Sequence, residues 1–66
     1  MELTTPRYLN EVEVSQITGV ALSTLRNQRF AGIGIPYCKL GRSVRYSLQD
    51  VVDYMESRKI QLANNS

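Results

Sequence analysis

Apolar positions along the chain recur at helical spacing in three stretches, and a short stretch of strand-like alternation separates the second from the third. The first begins at LNEVEV. Asn10 is suited to cap a helix, Glu13 three residues later completes a capping box, and Leu9 stands where it can staple against Val14. Gly19 supplies the left-handed C′ residue that ends this helix, with Val20 folding back over Val14 or Ser15. A second helix is predicted from Ala21 or Leu22 to Arg29, with Leu22 and Leu25 facing inward and Ser23, Thr24 and Asn27 outward. By strict period Arg29 falls on the Leu22/Leu25 side. Either the helix frays before it or its long stem carries the charge outward.

AGIGIP then breaks helical structure with two glycines and a proline. Tyr37 to Leu40 and Ser43 to Tyr46 read as two short strands around Gly41-Arg42, the spacing of a tight two-residue hairpin. A lone ribbon is marginal in water, so something must cover one face. A third helix supplies the cover. Ser47 is its predicted N-cap, with Asp50 at N3 and Tyr46 stapled against Val51. Leu48, Val51, Val52 and Met55 form its apolar stripe, which Leu62 would extend, and Gln49, Asp53, Glu56 and Ser57 form its polar face. The expected fold class is α+β: a winged helix-turn-helix of three helices, with a two-stranded β-hairpin wing between the second and third. Residues 1–7 are expected to be a flexible arm, 8–62 the folded domain, and 63–66 a disordered polar tail.

Length and composition narrow the options further. Sixty-six residues make one domain near the lower size that folds by packing alone. One cysteine, Cys38, cannot close an internal disulfide, and a chain without histidine cannot build a zinc site of Cys and His ligands. Cys38 is expected to be a small core filler. Apolar residues are interspersed, with no run of signal-peptide or membrane-span length, so a cytoplasmic protein is expected, with no membrane partner. Catalysis is not expected. The chain has no histidine, no carboxylate pair outside the amphipathic helices and no glycine-rich phosphate loop, so neither a cofactor nor a small-molecule substrate is implied.

Net charge is only +2, but its distribution is uneven. The stretch from Gln16 to Gln49 contains no acid and five cations: Arg26, Arg29, Lys39, Arg42 and Arg45. A single-signed window between acidic ends is the footprint of a polyanion binder. Two short helices at a glycine turn form a helix-turn-helix, whose second helix enters the DNA major groove, and a following hairpin can lie along the backbone as a wing. Arg42 sits at the hairpin tip. Arg45 has an alternative use, as a partner for Asp50 or Asp53 on the third helix.

The segments YLNEVEVSQITGVALSTLRNQR and IPYCKLGRSVRYSLQDVVDYM resemble the excisionase and AlpA-like family of small winged helix-turn-helix proteins, related to MerR-type DNA-binding domains. The resemblance spans about Tyr8 to Met55. It rests on Glu13, Gly19-Val20, Ser23-Thr24-Leu25, Pro36, Lys39 to Arg42 and Val44 to Tyr46. It implies sequence-selective binding of duplex DNA in phage, prophage or integrative-element biology, either directing an integrase toward excision or regulating transcription. Ser23, Thr24, Arg26 and Asn27 match the recognition-helix contacts that the resemblance implies, and Arg42 and Arg45 match its wing contacts; Arg29 on the helix and Lys39 and Ser43 on the wing are also expected to contact DNA. The chain departs from the family where a tryptophan is often found, at Gln28, and where a small alanine is common, at Ser15. The first departure leaves Phe30 or Tyr37 to fill the space beneath the second helix.

Two further partners are expected. A single module of this size covers one half-site, so copies are expected to act together on adjacent sites, with Ile33, Ile35 and the tail from Ile60 as the contacting apolar residues. An integrase is the other candidate. The competing reading is a protein-interaction module that does not bind DNA.

Overall fold

The computed structural model describes residues 7–62. Strand β1 (Tyr8–Leu9) leads into helix α1 (Glu11–Thr18) and then α2 (Leu22–Ala31). Strands β2 (Cys38–Leu40) and β3 (Ser43–Ser47) follow, and helix α3 (Leu48–Ser57) completes the domain. The architecture is α+β, but the sheet has three antiparallel strands in the order β1-β3-β2, not the two of the expected hairpin. The added strand comes from the segment just before the α1 cap. Tyr8 pairs with Ser47 and Leu9 with Tyr46, which makes β3 the central strand. The hairpin itself has Cys38 opposite Arg45, Lys39 opposite Val44 and Leu40 opposite Ser43. The expectations for the arm fall outside the described residues up to residue 6, and those for the 63–66 tail fall outside altogether. Arg7 is anchored, since its carbonyl accepts the N–H of Leu48 at 2.9 Å.

Helix α1 begins as its sequence dictates. The Asn10 side chain accepts the Glu13 N–H at 2.8 Å, and Glu13 Oε1 accepts the Asn10 N–H at 2.9 Å, closing the capping box. It ends at Gly19, whose φ of 77° lies in the left-handed region and whose N–H reaches the Ser15 carbonyl. Side chains lock the turn that follows. Ser15 Oγ donates to the Val20 carbonyl at 2.7 Å, and Thr18 Oγ1 donates to the Val14 carbonyl while accepting the Val20 N–H. The Ser15 hydroxyl therefore fixes the entry to α2.

Helix α2 runs two residues past Arg29, to a C-cap at Gly32, so it does not fray at the arginine. Ser47 stands at the N-cap of α3, with Asp50 in the first turn as expected, but makes no side-chain cap bond. Strand β3 passes into α3 without a loop, so the Arg7 carbonyl takes the Leu48 N–H in place of a side-chain cap.

The core consists of Leu9, Val14, Leu25, Ile35, Tyr46 and Val51, with Val20, Leu22, Val44, Leu48 and Tyr54 packed around it. Four expectations about packing are corrected here. On α3 the inward stripe is Leu48, Val51 and Tyr54, while Val52 and Met55 are largely exposed, and Leu62 lies beyond the end of the helix in solvent. Ile35 is buried, not free for a partner, because the loop after α2 folds inward. Cys38 is exposed on β2, at the sheet edge, and fills no core space. Phe30 is 95% exposed, so it fills nothing beneath α2.

Gln28 on α2 packs against the loop that follows the helix. Its side chain lies over Gly34, such that a Cβ placed on Gly34 would stand 2.7 Å from Gln28 Oε1 and 3.0 Å from Gln28 Cβ. Gly34 also has a φ of 92°, a conformation costly for any other residue. Gly34→Ala should destabilise the domain by about 1–3 kcal/mol. Adding Gln28→Ala should restore only part of that, since it relieves the contact with Oε1 but not the backbone strain. Urea midpoints of the two variants check this, and an unchanged midpoint in the single variant would contradict the packing described.

Candidate nucleic-acid interface

The outward face of α2 follows from helical period. Ser23, Arg26, Asn27 and Phe30 are spaced i, i+3, i+4 and i+7, and all four are exposed, as is Thr24 beside them. Leu25, on the opposite face, is buried. Ala21, the N-cap of α2, makes no side-chain cap bond, so the first backbone N–H groups of the helix have no capping oxygen. The stripe thus offers hydroxyls and open N–H groups at its start, an arginine and an asparagine in the middle, and an exposed aromatic ring at its end.

The hairpin adds a second set of cations, and the strand pleat divides them. Lys39 pairs with Val44 and shares its side of the sheet, toward α2, whereas Arg45 pairs with Cys38 on the other side. One open cleft is accordingly lined by Arg26, Arg29, Phe30, Tyr37, Lys39, Arg42 and Val44. Arg45 lies outside it, along a surface shared with Tyr8, Cys38 and Leu40. Arg45 Nη1 donates to the Val44 carbonyl at 2.8 Å, and neither Asp50 nor Asp53 pairs with it. Ser43 is exposed beside the tip. Lys39 and Arg42 are exposed and enter no ion pair among the described residues.

Arg29 differs from the other cations. Its side chain is only 16% exposed, and its guanidinium donates through Nη1 to Tyr46 Oη at 2.7 Å and through Nη2 to Glu11 Oε1 at 2.9 Å. It also lies 5.8 Å from the Tyr37 ring centroid and 6.0 Å from that of Tyr46, within the range of cation–π attraction. Arg29 therefore neither follows a frayed end nor reaches outward. It lies against two tyrosines and bonds across to α1. Tyr37, tilted against Tyr46 with centroids 6.2 Å apart, borders this guanidinium but is itself exposed and does not join the core.

Glu11 is the feature that the charge pattern conceals. It lies outside the acid-free window in sequence, yet the fold carries it to the centre of the cationic cluster. Its carboxylate accepts from Arg29 and from Arg26, with Arg26 Nη2 at 2.6 Å and Arg26 Nε at 3.3 Å from each oxygen. A count of charges along the chain has no means of finding this pairing, because it spans 15 residues to Arg26 and 18 to Arg29.

Donation from Arg26 foremost, opposed in part by burial and reinforced by Arg29, holds the Glu11 carboxyl below its ordinary value of 4.5. The unfolded chain then takes up this proton more readily than the folded one. The stability contributed by Glu11 is therefore complete above about pH 4.5 and is lost as pH falls through its lower folded value. Thermal midpoints of the wild type and Glu11→Gln should differ by a constant amount near neutrality and converge in acid. A difference that persists unchanged through the acid range would contradict the pairing.

The family model described as a helix-turn-helix domain matches residues 8–59, which take in all three helices and all three strands. No curated protein matches the chain. The matched span includes the α1–turn–α2 unit, the cleft cations and Glu11, and the chain belongs to this helix-turn-helix domain family, that of the excisionase and AlpA-like proteins.

Proposed function

We propose that this protein binds duplex DNA with sequence selectivity through residues 8–62, placing α2 in the major groove and the β2–β3 hairpin along the flanking backbone as a wing. The observation that carries the reading is the common cleft of Arg26, Lys39 and Arg42, which joins the outward stripe of α2 to the hairpin tip. Ser23 and Thr24, at the uncapped start of α2, suit phosphate, since open N–H groups and hydroxyls there receive anions. Arg26 and Asn27 are the base readers, arginine suited to guanine and asparagine to adenine. Phe30 adds an apolar face of the kind that meets a thymine methyl. On the wing, Lys39, Arg42 and Ser43 face the backbone, with Arg45 reaching it from the outer side. Arg29 supports the interface from beneath by holding α2 to Tyr46 and Glu11.

The biological setting that the family suggests is excision: a cytoplasmic, non-enzymatic, cofactor-free directionality factor for a phage or mobile-element integrase. An AlpA-like regulator of prophage transcription would use the same contacts, and an excision assay with and without the cognate integrase separates the two. Copies on adjacent sites would meet through Ile33, Ile60 and Leu62, all of which are exposed, and not through the buried Ile35.

Two measurements test the DNA reading. With about four phosphate contacts, log affinity should fall against log salt with a slope near −3.6, and Arg42→Ala should make it shallower by about one on every duplex. A slope indistinguishable from zero would remove the wing and leave the interaction-module reading in its place. Asn27→Ala should cost about 1–3 kcal/mol on the preferred site while leaving random duplex nearly unaffected. Equal losses on both would refute the assignment of α2 as the reading helix.

A further inference from the structure

We propose that Glu11 is a specificity-determining residue: an internal anion that restrains Arg26 from indiscriminate contact with phosphate and presents it to a guanine edge. The proposal rests on the DNA-binding reading above. Its geometric basis is the side of the guanidinium that Glu11 occupies. Arginine has five N–H donors in a planar fork, and the carboxylate takes the lateral edge of Arg26, through Nε and Nη2. The end of the fork, formed by Nη1 and the second hydrogen of Nη2, is left to meet a pair of acceptors. Guanine O6 and N7 are such a pair.

The two possible targets on DNA differ in charge. Guanine is neutral, so it can dock on the open end of the fork while Glu11 stays in place. A phosphate carries a full negative charge and meets Glu11 as well as Arg26. To gain the arginine it must either approach a carboxylate or displace it, and the displaced carboxylate then faces the DNA. Arg29 cannot substitute for Arg26, because it is held by Tyr46 as well as by Glu11 and lies largely buried. Arg26, by contrast, is 57% exposed and Glu11 only 22%, so the pair presents its cation outward and its anion inward. Glu11 thereby reduces the contribution of α2 to random binding and leaves base recognition intact.

A two-by-two set of full-length chains tests this: wild type, Glu11→Gln, Arg26→Ala and the double variant. Each is titrated by fluorescence anisotropy against a duplex selected from a random pool and against a scrambled duplex, over a range of salt. Glu11→Gln should bind scrambled duplex about 5–10-fold more tightly at about 0.1 M salt, with a salt slope steeper by about one. The ratio of selected to scrambled affinity should fall by a similar factor, and the change should vanish on the Arg26→Ala background. Glu11→Asp keeps the charge but is one methylene shorter, so it should move the ratio in the same direction to a smaller extent. It serves as the readout if Glu11→Gln does not fold by circular dichroism. If Glu11→Gln weakens both duplexes equally with an unchanged slope, Glu11 only braces α1 against α2 and the proposal is overturned. A wild type that binds neither duplex would instead refute the DNA reading itself, and this proposal with it.

Discussion

The guanidinium of Arg29 is the joint on which the arrangement of this domain depends. It is carried by α2, bonds to Glu11 on α1 and to Tyr46 on β3, and lies against the Tyr37 ring from the segment leading into β2. All three of these neighbours lie outside α2. Such a group can be partly buried because its charge is met by a carboxylate and its N–H groups have acceptors, since taking an unpaired cation out of water is costly. The same contacts fix how far α2 stands from the hairpin, and so the shape of the cationic cleft between them.

Around this joint the domain is economical in its use of apolar material. Among the described residues six make up its buried core, and each comes from a segment that needs another to cover it: Leu9 from β1, Val14 from α1, Leu25 from α2, Ile35 from the loop, Tyr46 from β3 and Val51 from α3. Chains of this size bury a smaller fraction of their surface than larger domains and have little stability in reserve. Backbone devices supplement the packing. The Asn10–Glu13 box, the Ser15 and Thr18 hydroxyls around Gly19, and the Arg7 carbonyl beneath α3 all fix chain directions without adding apolar volume. Gln28 lying on Gly34 belongs with them, as it seats the loop after α2 where a larger side chain would need more room.

The charge arrangement follows a second constraint. Cations gathered on one face for a polyanion repel one another in the free protein, and nearby cations within a Debye length gain from an interposed anion. Glu11 relieves this for the two arginines of α2, and the hairpin cations Lys39 and Arg42 are left to solvent. The positive cleft therefore has two parts, an internally compensated one on the helix and an uncompensated one on the wing.

What was legible in the sequence was local. The Asn10 cap with Glu13, the Gly19 stop, the inward Leu22 and Leu25, the tight turn at Gly41-Arg42 and the start of α3 at Leu48 all follow from rules that act within one or two turns of chain, and the structure has each of them. The outward placement of Ser23, Thr24 and Asn27 follows from the same period. Features set by contacts between distant segments could not be read this way. The pairing of Tyr8–Leu9 with β3, the burial of Ile35, the exposure of Cys38 and Phe30, and the division of Lys39 from Arg45 across the pleat depend on which segments the fold brings together. Glu11 is the clearest case. As a residue in sequence it is one acid in the first turn of a short helix, and only the tertiary structure makes it the counter-ion of Arg26 and Arg29. Electrostatic partners are chosen by distance in space, on which separation along the chain places no constraint.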